Sequence, residues 1–134
     1  MAFEFPIRIY WEDTDAGGIV FYAHYLKFFE RARTEWLRAL GIHQRQLREQ
    51  CGGMFVVADA GLKYLRPARL DDELIVTARL QEAGRAGLVI GQAAWLAGSP
   101  RVSLCEGAIR VGWVDAHTLK PARIPPAILE KLHP

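Results

Sequence analysis

The hydrophobic period of this chain changes once, at Cys51-Gly52-Gly53, and that change constrains the fold more than any other feature. Before it, apolar residues recur every three or four positions, at Leu26, Phe29, Ala32, Trp36 and Leu40. The spacing predicts one long helix from about Ala23 to Leu40, with Gly41 as its C-cap. Lys27, Arg31, Glu35 and Arg38 fall largely on the opposite side. Phe21, Tyr22, Tyr25 and Phe28 widen the apolar stripe, so the helix must be wrapped over much of its circumference. A short second helix is predicted from about His43 to Glu49.

After the glycines the period is two. Val56, Ala58, Ala60, Leu62 and Tyr64 alternate with Asp59, Gly61 and Lys63. Leu74, Val76, Ala78 and Leu80 form a second run, Leu88, Ile90, Ala94 and Leu96 a third, and Val102, Leu104, Ala108 and Val114 a fourth. Turn-forming segments at Arg66-Pro67-Ala68, Ala83 to Gly87 and Gly98-Ser99-Pro100 separate them. This predicts four long strands in an antiparallel meander. Ile7 to Trp11 reads as an earlier strand, and Pro125 to Leu132 as a proline-started terminal helix. One sheet facing one apolar helix is an α+β layer architecture, expected as a single domain over residues 1–134.

Composition narrows the function. The chain is 51% hydrophobic with a net charge of +2, without the concentrated positive field of a dedicated nucleic-acid binder. Its 13 Arg outnumber its 4 Lys. Arginine suits two-point capture of phosphate, so an anionic small ligand stays open. Two cysteines and four scattered histidines make neither a disulfide framework nor a structural zinc site. Met1 to Pro6 carries no basic stretch leading into an apolar run, and no segment approaches the roughly 20 apolar residues that cross a bilayer. The expectation is a cytoplasmic protein with reduced cysteines, no metal and no membrane insertion.

The chemistry concentrates in Asp13-x-Asp15-x-x-Gly18-x-Val20-Phe21-Tyr22, between the first strand and the long helix. Unpaired backbone N–H groups and the positive end of the helix dipole meet there. They can stabilise an acyl oxygen as it gains negative charge. A carboxylate beside them can attack a carbonyl carbon or activate water. The alternative is that Asp13, Thr14 and Asp15 only cap a turn.

Tyr10-Trp11-Glu12-Asp13-Thr14-Asp15-Ala16-Gly17-Gly18-Ile19-Val20-Phe21-Tyr22-Ala23-His24-Tyr25 resembles the signature of the 4-hydroxybenzoyl-CoA thioesterase family of hotdog-fold proteins. Glu30-Arg31-Ala32-Arg33-Thr34-Glu35 and Arg66-Pro67-Ala68-Arg69-Leu70-Asp71-Asp72 are most similar to its branch of Tol-Pal system-associated acyl-CoA thioesterases. The resemblance runs from about Ile7 to Pro126. It implies a long helix cradled by a curved antiparallel sheet, with protomers joined edge to edge as a homodimer or homotetramer and sites at the subunit interface. It implies Asp15 as the catalytic carboxylate and the backbone N–H of Tyr22 as the oxyanion donor. Some relatives carry His where this chain has Tyr22, and a phenol is not a ready base near neutral pH.

Other residues carry two readings each. Gly18, Val20, His24 and Arg66 are candidates for substrate contact; His24 can instead face solvent or a strand. Arg66, Arg69 and Lys63 can hold coenzyme A phosphates or line a solvated edge. Phe21, Phe28, Phe29 and Trp36 can line an acyl pocket or pack the core. Glu30, Arg31 and Arg33 read as surface or subunit-contact charges, and Cys51 and Cys105 as inert. The expected activity is hydrolysis of an acyl-CoA thioester to a carboxylate and free CoA, with no cofactor. The alternatives are an acyl-thioester dehydratase and a non-catalytic acyl or acyl-carrier binding partner.

Overall fold

The computed structural model describes residues 2–133. Strand β1 (Phe3–Arg8) leads through a single 3₁₀ turn (Trp11–Asp13) to helix α1 (His24–Ala39) and helix α2 (Gln44–Cys51). Strands β2 (Gly53–Tyr64), β3 (Glu73–Ala83), β4 (Gly87–Leu96) and β5 (Val102–Asp115) follow, then helix α3 (Pro126–Leu132). All five strands form one antiparallel sheet in the order β1-β3-β4-β5-β2.

Helix α1 ends where expected. Gly41 has φ +82°, a left-handed turn that costs glycine nothing. Its buried face is Tyr25, Phe28, Phe29, Ala32, Trp36 and Leu37. Leu26 is not on that face and is exposed, as are Phe21 and Tyr22. The stripe is therefore rotated from the predicted one: Phe28 and Phe29, both fully buried, set its centre. Opposite them lie Leu74, Val76, Ala78, Ile90 and Ala94 from β3 and β4, the faces that the alternation predicts.

Two expectations are corrected. The first strand is Phe3–Arg8, not Ile7 to Trp11. The Tyr10 N–H donates to Asp13 Oδ2 at 2.8 Å, and the Asp13 N–H returns to the Tyr10 carbonyl, so the chain turns there. Pro6 is tolerated because β1 is an edge strand, paired only with β3. The meander has three strands, β3 to β5. β2 crosses to the far edge and pairs with β5, so β2 and β3 are not neighbours.

Of three bulges in the sheet, those on β2 and β5 shift the predicted alternation. Ala58 is left unpaired between Val57 and Asp59, so Phe55, not Val56, joins the core beside Leu62. Leu104 is left unpaired between Ser103 and Cys105. The core side of β5 is consequently Cys105, Ile109, Val111 and Trp113, with Leu104 buried at the bulge. The Leu104 carbonyl accepts the N–H groups of Leu65 and Arg66, which holds the chain leaving β2 against β5.

Candidate active site

The segment between the 3₁₀ turn and α1 folds as a small hairpin. Thr14 bridges Val20, the Asp15 N–H donates to the Ile19 carbonyl at 2.9 Å, and the Phe21 N–H to the Asp13 carbonyl at 3.0 Å. The turn is Asp15-Ala16-Gly17-Gly18, closed by the Gly18 N–H on the Asp15 carbonyl at 3.0 Å. Gly18 has φ +78°. Gly17 donates its N–H to Asp15 Oδ1 at 2.8 Å, and a Cβ on Gly17 would stand 3.2 Å from that oxygen. Both glycines thus shape the loop around the carboxylate.

Asp15 and Asp13 have opposite environments. Asp15 is exposed; one oxygen is held by Gly17, and among the described residues the other takes no hydrogen bond. Asp13 is only 5% exposed. Its Oδ2 accepts from Tyr10, and its Oδ1 lies 3.7 Å from His24 Nε2. The buried carboxylate braces the loop, and the exposed one is available to a ligand.

The hairpin delivers the chain to α1 through another turn. The His24 N–H donates to the Phe21 carbonyl at 2.8 Å, leaving Tyr22 and Ala23 at its centre. Among the described residues neither the Tyr22 nor the Ala23 N–H has an acceptor. These are the orphan donors of a helix start. The Tyr22 carbonyl is held by the Tyr64 hydroxyl at 2.9 Å.

A cleft of about 240 Å³ opens beside this turn, lined by Ile19, Val20, Tyr22, Tyr25, Tyr64, Leu65, Arg66 and Pro67. Tyr25 meets Tyr64 edge-on at 5.7 Å between ring centres, and Tyr22 meets Tyr64 at 6.1 Å. Burial pushes the Tyr25 phenol up to about 12. The cleft therefore unites Tyr22, Val20 and Arg66. Val20 is buried and ties the hairpin to the Ala68 carbonyl.

His24 is the first residue of α1 and points at Asp13, between the edges of Phe21 and Phe28. Arg69 bridges Ile19 on the hairpin. Lys63 stands apart from these arginines. It lines a larger groove, about 830 Å³, with Thr77, Arg79 and Trp95, and that groove includes none of Asp15, Tyr22 or His24. Phe28, Phe29 and Trp36 are core.

Arg33 is half-buried and not a surface charge. Its guanidinium donates to Gln92 Oε1 at 2.9 Å, and burial lowers its pKa. Gln92 is 4% exposed and its Nε2 donates to the Phe29 carbonyl at 2.9 Å. The one signal for this link was a polar residue inside the apolar row Leu88-Ile90-Ala94-Leu96. Tyr64 gave only the signal of an aromatic closing a strand before Arg66-Pro67.

A model of the thioesterase-like superfamily matches residues 9–132. The acyl-CoA thioesterase YbgC of Haemophilus influenzae is 39% identical over 131 residues, covering 98% of this chain and 94% of that protein. The acyl-CoA thioester hydrolase YbgC of Escherichia coli O6:H1 is 38% identical over 127 residues, covering 95% and 92%. Among solved structures, a probable thioesterase from Bartonella henselae has a TM-score of 0.85 at 29% identity, over 93% of this chain and 100% of that one. A mutant 4-hydroxybenzoyl CoA thioesterase complexed with 4-hydroxybenzoyl CoA has a TM-score of 0.90 at 18% identity, over 98% of each chain, which is a likeness of fold. With its long helix lying against one five-stranded antiparallel sheet, the chain has the hotdog fold and belongs to the thioesterase-like superfamily.

Proposed function

We infer that this protein hydrolyses acyl-CoA thioesters, releasing a carboxylate and free CoA. The observation that carries the reading is one strand-to-helix connection in which, among the described residues, one Asp15 carboxylate oxygen and the N–H groups of Tyr22 and Ala23 have no partner. Its relatives in Haemophilus influenzae and Escherichia coli, matched along nearly the whole chain, carry the same activity in their names.

In this reading Asp15 attacks the thioester carbonyl carbon, or takes a proton from the water that does. A C–O bond forms, and the carbonyl electron pair moves onto oxygen, facing the Tyr22 N–H. The pair then returns, the C–S bond breaks, and the CoA sulfur leaves as a thiolate that takes up a proton; where Asp15 is the nucleophile, water then adds to the mixed anhydride and its C–O bond breaks, releasing the carboxylic acid and the Asp15 carboxylate. The backbone role does not depend on the side chain at position 22. Gly18 shapes the turn and Val20 and Arg66 line the cleft, to which we assign the acyl group; to Arg66 and Arg69 we assign the CoA phosphates, a role that suits guanidinium groups. His24 supports the loop through Asp13. The carboxylate and the amides supply the chemistry without a metal or redox cofactor.

We further propose that the protein works in the cytoplasm as a homodimer or homotetramer. β2 pairs with β5 on one side only, and residues 57–61 along it are exposed. Such an edge invites a second strand. Sedimentation at micromolar concentration is expected to show no dominant monomer, and a fully active monomer would refute a shared site. The activity itself is tested with a panel of acyl-CoA thioesters assayed for free thiol. Release from at least one acyl class is expected. A panel that binds without releasing thiol would favour a binding role, and water loss without thiol would favour a dehydratase.

A further inference from the structure

Tyr64 ends β2, forty-two positions from the residue whose carbonyl it holds. Its hydroxyl donates to the Tyr22 carbonyl at 2.9 Å, and its ring packs edge-on against both Tyr22 and Tyr25. The Tyr22 carbonyl lies at the turn that opens α1, in the same peptide unit as the Ala23 N–H, which is itself without an acceptor among the described residues. Burial raises the Tyr64 phenol above its ordinary value, so the proton that makes this bond stays on the oxygen through neutral pH.

We propose that Tyr64 is a positioning residue for thioester hydrolysis: its hydroxyl locks the Tyr22–Ala23 peptide so that the free N–H groups of the turn stay aimed at the developing oxyanion. The inference rests on the reading of the Asp15 and Tyr22 hairpin given above. Two physical effects follow from one bond. It removes rotational freedom from a turn that has no side-chain cap, since the N-cap residue of α1 is Ala23. It also polarises the peptide it holds, because hydrogen bonds in a chain strengthen one another, so the Ala23 N–H becomes a better second donor beside the Tyr22 N–H, whose own peptide the bond steadies without polarising. Electrostatic stabilisation depends on donors already in place when charge develops, so a looser turn costs turnover rather than binding. Tyr64 sits on the sheet and Tyr22 on the loop, so the bond ties a mobile class of element to a rigid one.

The test is Tyr64→Phe, which keeps both ring contacts and removes one hydroxyl. Loss of one neutral hydrogen bond predicts a fall in kcat of about three- to tenfold, with KM unchanged within about twofold. The second readout is the carbonyl stretch of a bound ketone analogue of acyl-CoA, carrying CH₂ in place of the thioester sulfur and ¹³C at the carbonyl. Binding should lower that frequency, and Tyr64→Phe should lower it less. A native kcat, a change confined to KM, or a kcat loss with an unaltered carbonyl stretch would each overturn the proposal. Asp15→Asn, assayed in parallel, reads the underlying site separately. If it retains native kcat, the hairpin is not the active site. If it is inactive while Tyr64→Phe is native in both readouts, Tyr64 alone is refuted.

Discussion

His24 Nε2 lies 3.7 Å from Asp13 Oδ1, and this pair brings the first turn of α1 beside the 3₁₀ turn that precedes the Asp15 hairpin. The other oxygen of Asp13 is committed to the Tyr10 N–H, and its backbone carbonyl to the Phe21 N–H. One buried residue therefore holds Tyr10 and Phe21 by hydrogen bonds and stands beside His24, around the loop that carries Asp15. Its work is structural, and it leaves the neighbouring carboxylate free for chemistry.

The first prediction concerns that brace. Asp13→Ala leaves the Tyr10 N–H without its acceptor in a site that is 5% exposed. An orphaned buried donor costs about 1–3 kcal/mol, read as a lowered denaturant midpoint with an unchanged slope. Asp13→Asn keeps an acceptor oxygen and should cost less stability and only a modest part of the rate. A variant Asp13→Ala with native stability would show that the bond to Tyr10 holds nothing.

A second prediction tests the junction between α2 and β2. A Cβ on Gly53 would stand 2.4 Å from the Trp113 ring, which is itself buried and packed edge-on against Phe55. Neither ring can withdraw without opening the core, so Gly53→Ala overpacks the site. The expected cost is about 1–3 kcal/mol by chemical denaturation, where the same change at exposed Gly61, with nothing within 4 Å, should cost far less. Equal stabilities for the two variants would contradict the packing.

Much of this was legible in the chain. The change of period at Gly52-Gly53 separates helix from sheet, and Leu74-Val76-Ala78 and Leu88-Ile90 point to the core as their alternation demands. Strand order was not legible, because periodicity reports which face of a strand is buried and not which strand lies beside it. The bulges at Ala58 and Leu104 were likewise silent, since an unpaired residue has no composition of its own. The glycines and acids of the hairpin announced a loop, but the division of labour between Asp13 and Asp15 is set by burial, which spacing does not carry. The bond from Tyr64 to Tyr22 joins residues too distant in sequence for any local pattern to link.

The third prediction concerns the thiols. Cys51 is exposed and Cys105 is buried, with its thiol pushed up to about 12 by desolvation first and by Glu106 second. A thiolate is the reactive form, so a disulfide reagent should titrate one thiol in the folded protein and the second only on unfolding. The raised value also sets a direction for stability. The unfolded chain gives up this proton at a lower pH than the folded one, so stability is intact below the ordinary thiol range and falls as pH rises toward 12. The buried Tyr25 phenol acts in the same sense. Cys105→Ala should flatten the alkaline fall while lowering stability at neutral pH through a lost buried sulfur. Turnover should survive replacement of both cysteines, and its loss in a folded double variant would move the nucleophile from carboxylate to thiol.

Asp15→Asn is the decisive substitution for the mechanism. The amide keeps the size of the side chain and an oxygen that can still accept from Gly17, so the turn at Gly18 should hold. It removes the negative charge and the oxygen that, in the proposed mechanism, either attacks the carbonyl or accepts a proton from water. Removing general-base action alone typically costs about 10²–10⁴-fold, so kcat should fall by at least that order. Contacts made equally in the ground state and the transition state are untouched, so binding should change far less. Thiol release gives kcat, and titration with a non-hydrolysable acyl-CoA analogue gives binding separately. Stability should stay near native, because Asp15 is exposed and makes one local bond. The contrast with Asp13 is then complete: one substitution removes turnover without stability, the other stability with little turnover. A folded Asp15→Asn protein at near-native kcat would refute the assignment, and a reversed order between the two positions would transfer the catalytic role to Asp13.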